Sequence, residues 1–417
     1  MRRRFISSVI LILSLLLSAC TALQPEEEII TGEYGPAYDP VKHQTRTFDA
    51  LWNHFKENYI YFETTEMNWE AIEATYRNRI NEGLTNQEFT SLMDELEAQL
   101  PAESLIYQSR EERIEIDSAD FSTYEGIGAF VGFRADDVPH VVILAVIEGS
   151  PAEKAGLKAH DSIFAIDGNP VLLEEGLNVV NRIRGPAGSS VTLHVQTPGE
   201  EQRLIKVTRG KLTSIGKLEA ALIEGTNFGY ILFPPISYNG IMDDFQEHLR
   251  QFTTNRTLEG LVLDLRIAGS TTGWPLQELA TLFEDGRLGE FYNRKASEVF
   301  QVSGQNLFES QTLPLVILVG QNTSGFPEIL AASLQARKRA VIVGEVTPGA
   351  VETTTSYYLP NGARLFIQTT SYKLLTGEEI GLKGVLPDVL IEAGWDEVLP
   401  GKDPVLDQAI EILKASQ

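Results

Sequence analysis

The sequence predicts an α/β protein that combines a helical N-terminal unit, a small β-rich domain and a core built on a largely parallel sheet. Three patterns support this fold class. Apolar residues recur at helical spacing from about residue 48 to residue 100, short β-branched runs separated by turns follow, and strand and helix patterns then alternate to the C-terminus. With 417 residues, 43% of them hydrophobic, the chain is long enough for two or three domains.

The composition argues against several classes of partner. The formal net charge is −24, whereas binding to nucleic acid or to an anionic lipid surface requires basic patches, so we expect no nucleic-acid partner. A single cysteine excludes an intramolecular disulfide. Because there is no cysteine cluster and no His-Glu-x-x-His motif, we expect neither a bound metal nor a cofactor.

Residues 1–20, MRRRFISSVILILSLLLSAC, have the layout of a secretory signal, with three arginines before a short apolar stretch. The small residues ahead of Cys20 resemble a bacterial lipobox, which implies that Cys20 is lipidated and anchors an exported chain to a membrane of the cell envelope. The alternative is an ordinary signal in which a cysteine falls near the cleavage point. Residues 21–44 contain proline, glycine and a glutamate run, which predicts a flexible tether.

Residues 45–111 are predicted to form the helical N-terminal unit. FDALWNHFKENYIYF, WEAIEATYRNRI and NQEFTSLMDELEAQL all place apolar residues at helical spacing. Thr85 and Glu88 form a possible capping box at the start of the third of these segments. At this spacing, an aromatic stripe is more often part of a core than of a ligand site.

Residues 112–210 are predicted to form the β-rich domain. YEGIGAFVGF, EGSPAEKAGLKAHDSIFAIDGNPV and IRGPAGSSVTLHV follow one another in an order that resembles a PDZ domain of the bacterial protease type. Such a domain uses a glycine-rich turn before a strand to bind a peptide carboxylate with backbone N–H groups, and the strand edge pairs with the peptide. Gly126, Ile127, Gly128 and Ala129 occupy that turn. The alternative is that the glycines only permit a tight turn.

Residues 211–417 are predicted to form the α/β core. Strand and helix patterns alternate from FGYILFPPI to AVIVGEV, which favours βαβ units and parallel strands. Ligands bind such sheets at the carboxyl ends of the strands, where Arg266 and Ser324 are expected.

The order of these segments, together with three motifs of the core, resembles the carboxyl-terminal processing peptidases, also called tail-specific proteases. The motifs are LVLDLR at residues 261–266, GEVTPG at residues 344–349 and GVLPD at residues 384–388. The resemblance covers about residues 45–395. It implies a serine peptidase in which a lysine takes the proton of a serine nucleophile, without histidine.

The residues that this mechanism requires are absent at the matching positions. With Glu328 as the anchor of the motif, the nucleophile position is Gly325, the acidic position is Ala336 and the lysine position is Ala350. Residues 267–271, IAGST, stand where the resemblance implies an oxyanion turn of Asn-Asn-Pro-Gly-Gly.

Ser324 is a weak alternative nucleophile, one residue before the expected position. On a helix its side chain would point about 100° away from that of residue 325. Lys338 and Lys373 are the nearest lysines in sequence, and His248 lies on a predicted amphipathic helix. The competing interpretation of Ser324 is the N-cap of the following helix, with Pro327 in its first turn.

We therefore predict an exported, lipid-anchored homologue of the carboxyl-terminal processing serine peptidases that has lost catalytic activity and binds peptide or protein C-termini through its PDZ-like domain. Whether the chain is an enzyme stays open, because Ser324 could serve a relocated active site. A third possibility is that the former active-site cleft binds a small ligand. The sequence does not determine the oligomeric state.

Overall fold

The computed structural model describes residues 40–118, 124–212, 217–254, 256–271 and 273–417. The predicted signal with Cys20, and the tether up to residue 39, lie outside the described residues. The described residues divide into two compact units, one with those from 40 to 118 and from 354 to 368, the other with those from 124 to 353 and from 369 to 417. Of the helices in the described segments, none combines the length and the apolar character that crossing a bilayer requires.

Helices make up most of the first unit. They are followed by one strand and a further helix, in the order α1 (Pro40–Asn58), α2 (Trp69–Asn81), α3 (Asn86–Gln99), β1 (Leu105–Gln108) and α4 (Arg110–Ser118). Thr85 and Glu88 form the expected capping box at the start of α3. The aromatic stripe of α1 is buried, as expected for a core. Residues 40–44, predicted as tether, are instead the first turns of α1.

The first unit also contains residues 354–368, which the sequence analysis assigned to the core. Strand β1 pairs antiparallel with residues 364–367, so that Leu105 lies opposite Ile367. Both side chains are buried. A pairing across more than 250 residues of sequence leaves no local periodicity, which is why the assignment from the sequence was wrong here.

The PDZ-like region opens the second unit. Its elements are β2 (Tyr124–Gly126), β3 (Ala129–Arg134), β4 (His140–Val146), α5 (Pro151–Lys154), β5 (Ser162–Ile166), β6 (Asn169–Pro170), α6 (Val180–Ile183), β7 (Ser190–Gln196), β8 (Arg203–Thr208) and β9 (Gly210–Leu212). The main sheet has the order β3-β4-β5-β7-β8, which leaves β3 at an edge. Before Arg184 the chain forms a 3₁₀ helix, Leu173–Val179, with a non-helical backbone at Gly176, and then α6.

The core follows as an α/β sheet. The remaining elements of the chain are β10 (Glu219–Leu222), β11 (Phe228–Leu232), α7 (Ile241–Thr253), β12 (Gly260–Asp264), α8 (Leu276–Phe283), β13 (Gly286–Tyr292), β14 (Ser297–Val302), β15 (Leu315–Val319), α9 (Phe326–Ala336), β16 (Val341–Gly344), β17 (Thr353–Tyr358), β18 (Arg364–Leu374), β19 (Val389–Leu390) and α10 (Pro404–Ala415). Most of β17 and the start of β18 fall in residues 354–368 of the first unit. The main sheet has the order β10-β11-β12-β15-β16-β19, and all neighbours except β10 and β11 pair in parallel. The predicted fold class is confirmed.

A buried charge network closes the carboxyl end of β12. The Arg266 guanidinium donates to the Asp264 carboxylate at 2.6 Å and to Asp403 at 2.7 Å. Asp403 also caps α10, since it accepts the N–H groups of Val405 and Leu406. Because a buried charge that loses its partner is strongly destabilising, this network fixes α10 to the sheet. The role of Arg266 is therefore structural.

The PDZ-like region packs against the core within the second unit. His140 Nε2 lies 2.7 Å from the Asp396 carboxylate, and Arg134 pairs with Glu345 at 3.3 Å. Burial disfavours the charged imidazole, but the hydrogen bonds that His140 makes to Asp396 and to the Val138 carbonyl, together with the negative charges of Asp396 and Asp136, outweigh it and raise the pKa of His140. On β3, Gly132 lies so close to the Asn322 side chain that a Cβ would overlap it. The edge strand of the PDZ-like region therefore rests on the turn that follows β15.

Candidate functional site

The turn between β15 and α9 carries the candidate serine. Thr323 is buried, and its hydroxyl donates to the Leu265 carbonyl at 2.8 Å while it accepts the N–H of Gly320 at 2.9 Å. The turn is thereby tied both to itself and to the end of β12. The structure confirms that Arg266 and the Ser324 turn lie at the same end of the sheet, since β12 and β15 are parallel neighbours.

Ser324 is held through its backbone. Its N–H donates to the Ala268 carbonyl at 3.1 Å, and its own carbonyl accepts the N–H of Ser270 at 3.0 Å. The side chain is half-buried, and its hydroxyl has no hydrogen-bond partner within the part of the chain that the structure describes. The N-cap of α9 is Gly325, so the interpretation of Ser324 as the cap is wrong, although Pro327 does lie in the first turn.

Gly325 occupies the position that the resemblance assigns to the nucleophile. Its backbone has φ 72° and ψ −126°, a region in which a residue with a side chain is strained. A strained strand-to-helix turn of this kind is what raises a nucleophile in other hydrolases. Here a Cβ at residue 325 would overlap the Cβ of Ser270. The side chain of Ser270 thus fills the space in which a nucleophile side chain would begin.

The Glu328 carboxylate organises the backbone of the site. It is fully buried and accepts the N–H of Gly325 at 2.9 Å, the N–H of Gly349 at 2.6 Å and the hydroxyl of Thr347. Burial raises the pKa of the Glu328 carboxyl, whereas these hydrogen bonds and one from the backbone of Ala350 oppose the rise. One carboxylate therefore holds the nucleophile position and the lysine position together.

Of the three positions that the resemblance assigns to the mechanism, two lie at the Glu328 carboxylate and the third lies elsewhere. Gly325 and Ala350 both contact Glu328 through their backbones. Ala336 instead ends α9 and is exposed, about 15 Å along the helix axis from Phe326. The positions carry a hydrogen or a methyl group, so the site offers neither a hydroxyl nor an amine at the places where the mechanism needs them.

The alternative bases are engaged elsewhere or lie on the surface. The Lys373 ammonium lies 2.6 Å from the Glu290 carboxylate. Lys338 follows the end of α9 and is exposed, and His248 lies on α7, where its ring stacks on Phe252. Among the described residues, no lysine, histidine or carboxylate forms a hydrogen bond with the Ser324 side chain.

The glycine-rich turn of the PDZ-like region lies at one end of a cleft. The Ile127 carbonyl accepts the N–H of Ala152 at 2.7 Å, and the Gly128 carbonyl accepts the N–H of Ile147 at 2.9 Å. In contrast, the N–H groups of Ile127 and Gly128 have no acceptor in the described segments. Gly128 has φ 81°, and a Cβ there would overlap Ser150, so glycine is needed on both counts.

The cleft itself runs between β3 and the segment from Leu173 to Ile183, and its volume is about 470 Å³. Apolar side chains line most of it, and the backbone of β3 forms one wall. The lining includes Ile127, Val131, Ile147, Leu177, Val180 and Ile183. An edge strand beside an apolar groove is the arrangement that binds an extended peptide by strand addition.

Three regions of the chain match models of known protein families. Residues 227–391 match the model of peptidase family S41, residues 142–197 match a PDZ domain and residues 40–98 match the Tricorn protease C1 domain. A carboxyl-terminal-processing protease of Synechocystis sp. is 27% identical over 378 residues, which are 87% of this chain and 85% of that protein. The chain is a homologue of the carboxyl-terminal processing proteases.

Two further comparisons describe the extent of this homology. A carboxyl-terminal-processing protease of Picosynechococcus sp. is 34% identical over 281 residues, which are 63% of this chain and 64% of that protein, so less than two thirds of that relative is spanned. The solved structure of a photosystem II D1 C-terminal processing protease has a TM-score of 0.65 and 24% identity, covering 89% of this homologue and 97% of that chain. The structural likeness shows the shared fold.

The partners of Glu328 and the packing of Ser270 against Gly325 were not predicted from the sequence. In the sequence, Glu328 is the anchor of one motif, and Thr347 and Gly349 belong to a second motif. No short-range sequence pattern indicates that the two motifs are in contact. Ser270 lay within the altered oxyanion segment, which gave a signal that the region differs.

We expect Glu328→Gln to lower the free energy of unfolding by roughly 2 to 4 kcal/mol, because an amide places N–H donors against backbone N–H groups and leaves buried groups unpaired. Urea denaturation of the two proteins measures this loss. The control is Glu392→Gln, an exposed position, for which a change within about 0.5 kcal/mol is expected. Equal stability of Glu328→Gln and the unmodified chain would contradict the role of the carboxylate.

We expect Gly325→Ser to destabilise the fold by more than about 2 kcal/mol, because the backbone is strained and the new Cβ overlaps Ser270. Adding Ser270→Gly to this variant should recover part of the loss, since it removes the overlap but not the strain. A double-mutant cycle by urea denaturation measures the coupling. Additive effects of the two changes would show that Ser270 does not compete for this space.

Proposed function

We propose that this chain is an exported, lipid-anchored homologue of the carboxyl-terminal processing peptidases that binds peptide or protein C-termini in its PDZ-like cleft without cleaving them. The observation that carries the proposal is the chemistry at Gly325 and Ala350. Glu328 holds both backbones in place, yet neither residue has a group that can attack a carbonyl or accept a proton.

The expected loss of activity is large. Removing one member of a catalytic triad lowers the rate by about 10⁴-fold or more even when the other members remain. Here both the nucleophile and the base positions lack functional side chains. The N–H groups of Ser270 and Gly325, which could otherwise stabilise an oxyanion, donate instead to the Ser324 carbonyl and to Glu328.

The geometry of the PDZ-like cleft supports peptide binding. The N–H groups of Ile127 and Gly128 are available to a terminal carboxylate, and the outer edge of β3 is available to the backbone of an extended peptide. Because the groove behind the edge is apolar, a peptide with apolar side chains near its C-terminus fits it best.

A second candidate function is hydrolysis with Ser324 as a relocated nucleophile. The relatives are named proteases, and Ser324 has a half-buried hydroxyl in the turn after a buried strand. For this function, a base would have to move to Ser324 when substrate binds, because none forms a hydrogen bond with it among the described residues.

One experiment separates the two functions. The chain from residue 24 and its Ser324→Ala variant are incubated with an unfolded protein that ends in apolar residues, and binding of a fluorescent peptide with the same terminus is measured by polarisation. We expect both chains to bind the peptide and neither to cleave the protein. Cleavage by the unmodified chain and not by Ser324→Ala would identify Ser324 as the nucleophile and contradict the proposal.

A glycine substitution tests the site of binding in the same assay. Gly128→Val should weaken peptide binding more than tenfold, because its side chain overlaps Ser150 and displaces the turn. The matched control is Gly225→Val, which has a similar positive φ in the β10–β11 turn but no neighbour within 4 Å. If the two variants bind alike, or if the unmodified chain binds no peptide, the PDZ-like cleft is not the binding site.

The lipid anchor is tested on the full chain, expressed in a bacterial host supplied with a labelled fatty acid. The unmodified chain should incorporate label and partition with membranes, whereas Cys20→Ala should lose the label because the thiol is the acceptor. Ser18→Ala keeps a small residue before the cysteine and is expected to behave as the unmodified chain does. An unmodified chain without label would show that Cys20 is not lipidated.

A further inference from the structure

We propose that a cleft beside the β15–α9 turn binds a basic side chain, the guanidinium or ammonium group of an extended peptide. This cleft, which we call the aromatic cleft, has a volume of about 520 Å³ and lies between α8, the β13–β14 ladder and the start of α9. Four aromatic residues and two carboxylates define it: Trp274, Phe291, Phe300, Phe326, Glu278 and Glu298. It is separate from the PDZ-like cleft, so the inference does not depend on peptide binding there.

The aromatic walls are arranged edge to face. The rings of Phe291 and Phe326 have centroids 6.4 Å apart at 81°, and those of Phe291 and Phe300 are 5.7 Å apart at 63°. Phe291 and Phe326 are half-buried, and both line the cleft. The face of an aromatic ring carries negative electrostatic potential, which attracts an organic cation.

The charge of the cleft agrees with that class of ligand. Glu278 and Glu298 are exposed, and neither has a hydrogen-bond or ion-pair partner among the described residues. None of the described residues that line the cleft is a lysine or an arginine. Glu290, by contrast, lies outside the lining and is already paired with Lys373. The cleft therefore holds two unneutralised negative charges beside an aromatic surface.

The open strand edge beside the cleft favours a peptide over a free amine. Trp274 is 5% exposed and lines the cleft, where it serves as a reporter of binding. Strand β14 pairs with β13 on one side, and among the described strands nothing pairs with its other edge. A peptide along that edge could place a basic residue over the cleft.

The position of the aromatic cleft relates it to the candidate site. Phe326 directly follows Gly325, so a basic residue bound there would lie next to the turn that the resemblance assigns to the nucleophile. A segment bound at β14 would thus be held against the core independently of any C-terminus bound in the PDZ-like cleft.

The test follows the indole N–H signals of the chain from residue 24, labelled with ¹⁵N-tryptophan. The chain has four tryptophans, so the Trp274 signal is assigned with Trp274→Phe. The probes are Nα-acetyl-arginine N-methylamide, its neutral citrulline counterpart and tetramethylammonium. We expect the arginine probe to shift the Trp274 signal and to bind roughly tenfold more tightly than the citrulline probe, because only the former is charged.

A second experiment tests whether the Glu278 and Glu298 carboxylates attract the cation. Glu278→Gln with Glu298→Gln should remove the preference for arginine over citrulline, whereas Glu224→Gln, which removes one exposed charge outside the cleft, should preserve it. Equal binding of the arginine and citrulline probes, or an unchanged preference in the double variant, would overturn the cation site. Tetramethylammonium binding as tightly as the arginine probe would overturn the assignment to a peptide.

Discussion

The buried carboxylate of Glu328 is the interaction on which the candidate site depends. It joins the turn after β15, the segment after β16 and the start of α9, because Gly325, Thr347 and Gly349 all donate to it. The Thr347 hydroxyl in turn accepts the N–H of Val385 at 2.8 Å, which adds a fourth segment to the cluster. Taking such a group out of water is unfavourable unless its oxygens are fully paired, so these segments must meet in one arrangement.

This constraint explains how the backbone of the site can keep its arrangement whatever side chains stand at positions 325 and 350. The donors to Glu328 are backbone N–H groups and one threonine, none of which depends on the side chains at positions 325 and 350. The residues that maintain the backbone of the site are thus different from the residues at the positions of the catalytic side chains. The match to the model of peptidase family S41 indicates the fold. Whether the chain can catalyse the reaction depends on the side chains at the turn.

Much of the fold could be predicted from the sequence because its signals are local. The period of apolar residues separates helices from strands, and alternation of the two indicates parallel pairing. The errors arose where distant segments decide the outcome. Residues 364–367 join β1 of the first unit through strand pairing alone. Ser324 does not cap α9, because its backbone is hydrogen-bonded to Ala268 and Ser270.

The candidate site was predicted in part for the same reason. Motif spacing located Gly325 and Ala350, and the structure places both at one carboxylate, but spacing could not show that Ala336 lies at the far end of α9. Nor could it show that Lys373 is paired with Glu290. Distances between side chains on separate strands are properties of the tertiary packing and have no counterpart in a single segment.

The close approach of Gly325 and Ser270 limits how the sequence of this turn can evolve. A serine at position 325 is accommodated at lower cost once residue 270 has lost its side chain, because the overlap with the Ser270 Cβ is then removed. A serine–lysine mechanism would require a lysine at position 350 as well, where the chain has alanine. The order of steps available to selection is therefore restricted, and the present packing of this turn disfavours the acquisition of a serine at position 325.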